Sequence, residues 1–460
     1  MNESTICAAC IKDAFLQQRV INEGSIQPCS ACGSENQKSI PITDLLEQIA
    51  TAFKLHHGIG DYNQYLGEAE GDDLQTMLYE FAGWDDPVNE LIAQALFGDE
   101  PGCDPRDGDS PFFSDDFTYI QLNSPYYQQW RGPIDSWHEF KQHIKHEARF
   151  FSKTSTEQLH RVFDDLEIVH KWINASIIRT IGPGTEIDSV FRAREVDFRN
   201  EKAIVDLLRD PANQLGAPPA RVARANRLNP AGIVAFYGSM DTMTCLAELR
   251  LPTGSSVIIG RFTITRPLRI LDLMNLSHTI KSLSPFDPEF QKAQEFSTFL
   301  NHFALEISRP ILPSNTDLEY IATQAVAEYL AHHHSPRFDG ILYNSAQERD
   351  GGNLVLFHHA CTVDDSGSLE GQDFSFYPDV DHDDDGPGIL IGYNLFYKSV
   401  PPSEKGQQAS DFDFLGIDIE TKKQCFSPAL TYIEKSAKVY HVEGVKYSSS
   451  NLPITYYGKT

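Results

Sequence analysis

Cys7-x-x-Cys10 and Cys29-x-x-Cys32, with eighteen residues between the pairs, constrain the start of the chain more than any other feature. Four thiolates at that spacing close a tetrahedron around zinc and match the two-hairpin pattern of a zinc ribbon. Gly33, directly after the last cysteine, supplies a tight turn through which main-chain amides approach the sulfurs. So few large apolar side chains accompany the cysteines that a segment this short could hardly fold without metal. Residues 1–40 are therefore expected to be a zinc ribbon, with Cys7, Cys10, Cys29 and Cys32 binding structural zinc. Cys103, Cys245, Cys361 and Cys425 have no ligand spacing and read as inert thiols.

The remaining length allows one or two further domains, since 460 residues that are 41% hydrophobic can build sizeable cores. A formal charge of −27 repels phosphate on average and argues against a nucleic-acid or anionic-membrane surface. Any arginines that bind an anion must then be local and convergent. No apolar run approaches a membrane span, and no basic region precedes an apolar core near the start. The expectation is a soluble cytoplasmic protein.

Residues 41–175 read as mostly helical. Asp44 and Glu47 form an N-terminal capping pattern ahead of Leu46, Ile49 and Phe53. Thr154 to Ile177 carries a helical stripe through Leu159, Val162, Phe163 and Leu166, with Thr154 and Glu157 as its cap. From about residue 176 the pattern becomes mixed. Val190–Arg194, Ile233–Tyr237, Ser256–Ile264, Leu268–Leu273, Gly340–Tyr343 and Leu354–Phe357 read as strands, Met243–Arg250 and 316–331 as helices. The fold class is α+β with a small curved sheet.

Three polar clusters stand out within this last region: Arg192 in Phe191-Arg192-Ala193-Arg194, Arg227-Leu228-Asn229-Pro230-Ala231-Gly232 with Tyr237 and Glu248 behind it, and Asp339-Gly340 through Ser345. Arg227 lies ten residues before Tyr237, and Glu248 eleven after it; Asn353-Leu354-Val355-Leu356-Phe357 follows. In order and spacing this set resembles the RES family of NAD-consuming proteins, from which Leu228 departs where tryptophan is usual. The resemblance implies an ADP-ribosyltransferase-like fold over 176–460, NAD as substrate, and a toxin or defence role. It also implies control by a small Xre-type antitoxin, although the large N-terminal region could itself restrain catalysis. Some longer RES proteins carry a HEPN-like helical domain where residues 41–175 lie. Arg131 and His138 have the count of a HEPN ribonuclease pair, but Gly132-Pro133 opposes one continuous helix.

Breaking the nicotinamide–ribose bond releases a neutral base from a cation, so the site needs no strong acid. It needs a fixed carboxylate near the oxocarbenium-like sugar, and Glu248 is the candidate. Arg192 and Arg227 offer paired donors to a diphosphate. Arg194 would share a strand face with Arg192, and spacing does not choose between them. Tyr237 suits nicotinamide stacking or a ribose hydroxyl, Ser345 a ligand hydrogen bond, and Asn229 and Asn353 supporting contacts. No Gly-x-Ser-x-Gly elbow marks Ser345 as a nucleophile. His332-His333-His334 and His358-His359 lack metal-ligand spacing. Asp381-x-Asp383-x-Asp385 starts like a calcium loop but meets Gly392 at its twelfth position. Water, phosphate and a protein side chain can each capture the sugar cation, so glycohydrolase, phosphorylase and ADP-ribosyltransferase all fit. A non-enzymatic nucleotide-binding adaptor and a HEPN-type ribonuclease are the competing classes.

Overall fold

The computed structural model describes residues 4–60, 62–63, 68–97, 111–122, 136–164, 166, 176–197, 199–274, 276, 283–309, 316–364, 372–381, 389–399 and 426–445. Contacts divide the chain into two compact units that do not follow the expected cuts at 40 and 175. One holds residues 1–140, 171–174 and 280–299; the other holds 141–170, 175–279 and 300–460.

In the first unit the cysteine segment is not a pair of hairpins. Strand Thr5–Cys7 leads into a single turn at Ala8–Cys10, and helix Ala14–Glu23 follows before strands Ser25–Ile26 and Lys38–Pro41. Asp13 caps that helix by accepting from the amides of Phe15 and Leu16, which nucleates it where the spacing alone suggested a ribbon. Its apolar stripe, Leu16 and Val20, joins Ile6 and Ile40 in one core with Leu45, Ile49, Phe53, Leu78 and Trp84. Residues 1–40 thus share their core with the helices after them instead of standing apart. Phe286 completes this core by stacking on Trp84 at 5.5 Å between centroids, which accounts for residues 280–299 in this unit.

Helices Thr43–His56, Leu74–Ala82 and Asp86–Leu96 agree with the helical reading, but strand pairs interrupt it, His57–Ile59 with Tyr119–Gln121 among them. Thr43–His56 begins after Ile42 with no side-chain cap, so the expected Asp44–Glu47 cap does not form; Asp44 lies inside the first turn. Helix Lys153–Phe163 is capped by Ser152 rather than Thr154, and residues 167–175 lie outside the described ones. Lys153–Phe163 belongs to the second unit because its end is anchored there. Tyr329 donates to Asp164 Oδ1 at 2.9 Å, and His334 Nε2 meets the Phe163 carbonyl at 2.8 Å.

The second unit is built on ten described strands in one mixed sheet. Its path runs Val363–Asp364, Leu430–Tyr432, Ser256–Ile264, Ser189–Val196, Phe236–Ser239, Gly352–Leu356, Gly340–Asn344, Leu268–Asp272, Ile178–Ile181, with Lys438–His441 also pairing to Ser256–Ile264. All six expected strands are present, shifted by a few residues at their ends. One face carries Val190, Phe236, Ile258, Phe262, Leu342 and Leu354 in the main core. On the other, helix Thr242–Leu249 lays Cys245, Leu246 and Leu249 over Phe191, Ala193, Val257 and Ile259. Gly340 allows close strand approach: a Cβ there would meet the Val355 carbonyl oxygen at 2.2 Å. Gly340→Ala is expected to cost roughly 1–3 kcal/mol and lower the melting temperature of this unit by several degrees in a calorimetric scan.

Candidate functional site

Helix Thr242–Leu249 starts cleanly because Asp241 accepts from the Thr244 amide at 2.8 Å. Cys245, Glu248 and Leu249, three and four residues apart, then share one helix face. That face closes a cavity of about 220 Å³ against the sheet, lined also by Arg192, Ala193, Tyr237, Gly238, Ser239, Tyr343 and Asn353. The sheet register explains the opposing wall. Tyr343 pairs with Asn353, and Asn353 with Ser239, so three adjacent strands present one row; Tyr237 lies two residues from Ser239 on the same face.

Glu248 is held by two neutral donors on a single oxygen. Ser345 Oγ and Asn353 Nδ2 both donate to Oε1 at 2.6 Å, and Ser239 Oγ in turn donates to Asn353 Oδ1 at 2.8 Å. The Ser345 hydroxyl also accepts from the amides of Gln347 and Glu348, each at 3.1 Å, so it is committed to placing Glu248. Glu248 has no ion pair among the described residues. The carboxylate is therefore oriented without being neutralised.

Tyr237 uses its hydroxyl behind the wall. It donates to Asn229 Oδ1 at 2.7 Å and accepts from the Leu228 amide at 3.2 Å, which leaves the ring as its contribution to the cavity. Burial, then the neighbouring Tyr343, push the Tyr237 phenol well above its ordinary range. Burial, then the Glu248 charge, push Tyr343 up likewise. Burial also takes the Cys245 thiol up to about 12. All three are neutral near pH 7.

Asn229 has no polar atom left for a ligand. Its Nδ2 donates to the carbonyls of Arg224, Pro230 and Ile233, and its Oδ1 is taken by Tyr237. Instead of binding a cofactor it staples the Arg227–Gly232 turn to the Tyr237 strand. Gly232, at φ +85°, closes that turn.

The arginines separate. Arg227 is not on the cavity wall: its Nη1 donates to the Glu306 carbonyl at 2.9 Å, and its guanidinium lies 5.7 Å from the Tyr320 ring centroid. Its charge nonetheless reaches the cavity side, since it lowers the pKa of both Tyr237 and Tyr343. Arg192 pairs with Gly260 on one neighbouring strand, and Gly238 flanks it on the other, where Ser239 pairs with Phe191. A Cβ on Gly238 would face Val190 and Phe236, and one on Gly260 would face Leu215, so this is the core face of the sheet. The Arg192 guanidinium accordingly lies 4.8 Å from the Phe236 ring centroid, with Nη1 lacking any hydrogen-bond partner. Strand alternation leaves main chain as what Arg192 brings to the cavity wall. Burial lowers its pKa to about 10, which keeps it a cation. Arg194, on the same face, is turned to Gln214.

Ser239 and Tyr343 were given no site role in the sequence, and Cys245 was read as an inert thiol. Period-two spacing from Tyr237 to Ser239, and from Tyr343 to Ser345, is the signal that could have found two of them. Arg131 lies outside the described residues, and His138 sits in helix Ser136–Gln142, so the described chain contains no ribonuclease pair to assess. Among the described residues the histidine clusters form no group suited to a metal, and Asp383 and Asp385 lie outside them. No described helix is long and apolar enough to cross a membrane.

The four N-terminal cysteines do form such a group, with all four sulfurs within 4.8 Å of one another. Zinc–sulfur bonds of about 2.3 Å in a tetrahedron require sulfurs ~3.8 Å apart. Cys7 and Cys10 are 3.6 Å apart, Cys7 and Cys32 3.7 Å, Cys10 and Cys29 3.9 Å. Burial pushes the Cys29 thiol up, but amides of Cys32, Cys7 and Ala31 draw it down further, to about 7. The cage is compatible with zinc.

No curated protein and no solved structure matches the chain. Residues 191–379, which carry the cavity with Tyr237, Glu248 and Asn353 and the Ser345 that holds Glu248, match the family model described as the RES domain, and that match supports placing this part of the chain in the RES family.

Proposed function

We propose that this protein consumes NAD by breaking the bond between nicotinamide and ribose, with Glu248 facing the anomeric carbon. The RES match is consistent with NAD-related enzyme activity in general. The observation that carries the finer reading is the Glu248 carboxylate, fixed through Oε1 by Ser345 and Asn353 inside a cavity and paired with no cation among the described residues. Both of these hydrogen bonds fall on Oε1, so Oε2 is the atom offered to substrate.

The carbon–nitrogen bond breaks with its electron pair leaving on nicotinamide, which departs neutral. Positive charge appears on the ribose, and a carboxylate held in place beforehand stabilises it without reorganising. Tyr237 offers its ring to the pyridinium, and Arg227, beside the two tyrosines, is the arginine best placed for the diphosphate. Ser345, Asn353 and Ser239 act through Glu248 as positioning residues. Water, phosphate or a protein side chain then adds to the sugar carbon. A toxin or defence role, restrained by a partner or by the N-terminal region, belongs to this reading through the family alone.

Purified protein incubated with NAD is expected to release free nicotinamide. The second product, ADP-ribose, its phosphate ester or a modified protein, identifies the acceptor. Ser345→Ala leaves Glu248 with one of its two donors and is expected to lower the rate roughly 10- to 100-fold, since small misplacements at a reacting centre cost that much. A folded wild type that releases no nicotinamide with water, phosphate or protein acceptors overturns the reading.

A further inference from the structure

Glu248 is the one carboxylate among the described residues that line the cavity. Tyr237, Tyr343 and Cys245 are held neutral by burial. The Arg192 guanidinium lies across the sheet, against Phe236, and Arg227 is tied to the Glu306 carbonyl away from the wall. A ligand ring entering here meets one negative charge, the neutral polar groups Ser239 and Asn353, and no cationic side chain beside them.

Such a wall treats two natural pyridine rings differently. A nicotinamide ring brings a cationic nitrogen and a neutral amide, both at ease near a carboxylate. Nicotinic acid adds a second carboxylate, which needs a cation that the wall does not provide. Two like charges ~6 Å apart at an effective dielectric of about 20 repel by an amount worth on the order of a hundredfold in affinity. The Arg192 charge, acting across the sheet, and the Arg227 charge, felt at Tyr237 and Tyr343, offset part of this.

We propose that the cavity selects the amide form of the pyridine ring, so that nicotinamide dinucleotides are substrates and dinucleotides carrying a free ring carboxylate are excluded. This rests on the cavity being the nicotinamide end of the site.

The test compares NAD with nicotinic acid adenine dinucleotide. Wild-type protein is expected to show kcat/KM at least tenfold higher for NAD. In Glu248→Gln, calorimetric titration is expected to bring the two affinities within about threefold, because the repelling charge is gone. Equal kcat/KM for the two by wild type overturns the selection and leaves nicotinamide cleavage standing. If wild type cleaves neither, cleavage falls, and binding still decides the selection. A preference for NAD that disappears in Glu248→Gln upholds it; equal binding, a preference that survives the substitution, or no binding of either overturns it.

Discussion

Glu248→Gln is expected to lower nicotinamide release by about 10²–10³-fold while leaving the melting temperature within a degree or two. The substitution is close to a pure charge change. Ser345 and Asn353 both donate to Oε1, and a glutamine oxygen in that position accepts both, so the new amide nitrogen falls where Oε2 was. What is lost is the attraction between a carboxylate and the ribosyl cation. At ~4 Å and an effective dielectric of about 20 that attraction is roughly 4 kcal/mol, or about a thousandfold in rate. Because substrate already carries a positive ring, part of the interaction exists before the bond breaks, and the loss should divide between KM and kcat. Glutamine retaining more than about a tenth of wild-type kcat/KM would move the reacting centre away from this residue. Glu248→Ala is the weaker experiment, because it also strips the acceptor from Ser345 and Asn353 and invites the cavity to rearrange.

How far this geometry was legible in the sequence depends on which face of a strand matters. Spacing along the chain put Glu248 on a short helix after the Tyr237 strand, and Asn353 and Ser345 on strands that bracket a turn; the structure lines one cavity with Tyr237, Glu248 and Asn353, and Ser345 holds Glu248 by a hydrogen bond. Period two also put Arg192 and Arg194 on a common face, and they share one. It could not say that this face is the core side. That is set by register against Gly238 and Gly260, two glycines whose absent side chains make room for a guanidinium over Phe236. Asn229 was legible as a turn residue, but not its role as a staple, because the number of carbonyls converging on its amide is a tertiary fact.

The two compact units cut the chain elsewhere than at 40 and 175 for a related reason. Composition changes near residue 176, but cores are assembled from residues far apart in sequence. Phe286 completes the core around Trp84, and Phe163 and Asp164 are held by His334 and Tyr329. Neither partnership leaves a local mark. At the other end of the scale, the Cys-x-x-Cys spacing found the four-sulfur cage, yet it did not foresee the Asp13-capped helix between the pairs.

That cage yields the second large effect. Purified protein is expected to carry about one zinc per chain by elemental analysis, and Cys29→Ser to carry almost none. Holding four sulfurs within 4.8 Å of one another is unfavourable for thiolates unless a cation sits among them. Metal at such a site contributes about 10–16 kcal/mol in isolated zinc-finger peptides, where folding and binding are one event. Here the effect should be smaller and local. Ile6, Ile11, Leu16, Val20 and Ile40 are packed into the same core as Leu45, Phe53 and Trp84, which supports the segment when the metal is gone. Chelation is thus expected to release the Cys7–Cys10 and Cys29–Cys32 turns first. Amides 5–10 and 29–34 should lose hydrogen-exchange protection at once, among them Cys29 N–H bonded to the Ser34 carbonyl and Gly33 N–H bonded to the Cys29 carbonyl. Helix Thr43–His56 should keep most of its own. Protection at those turns that is indifferent to chelator, in protein shown to be metal-free, would mean that the four thiols hold their positions by packing alone.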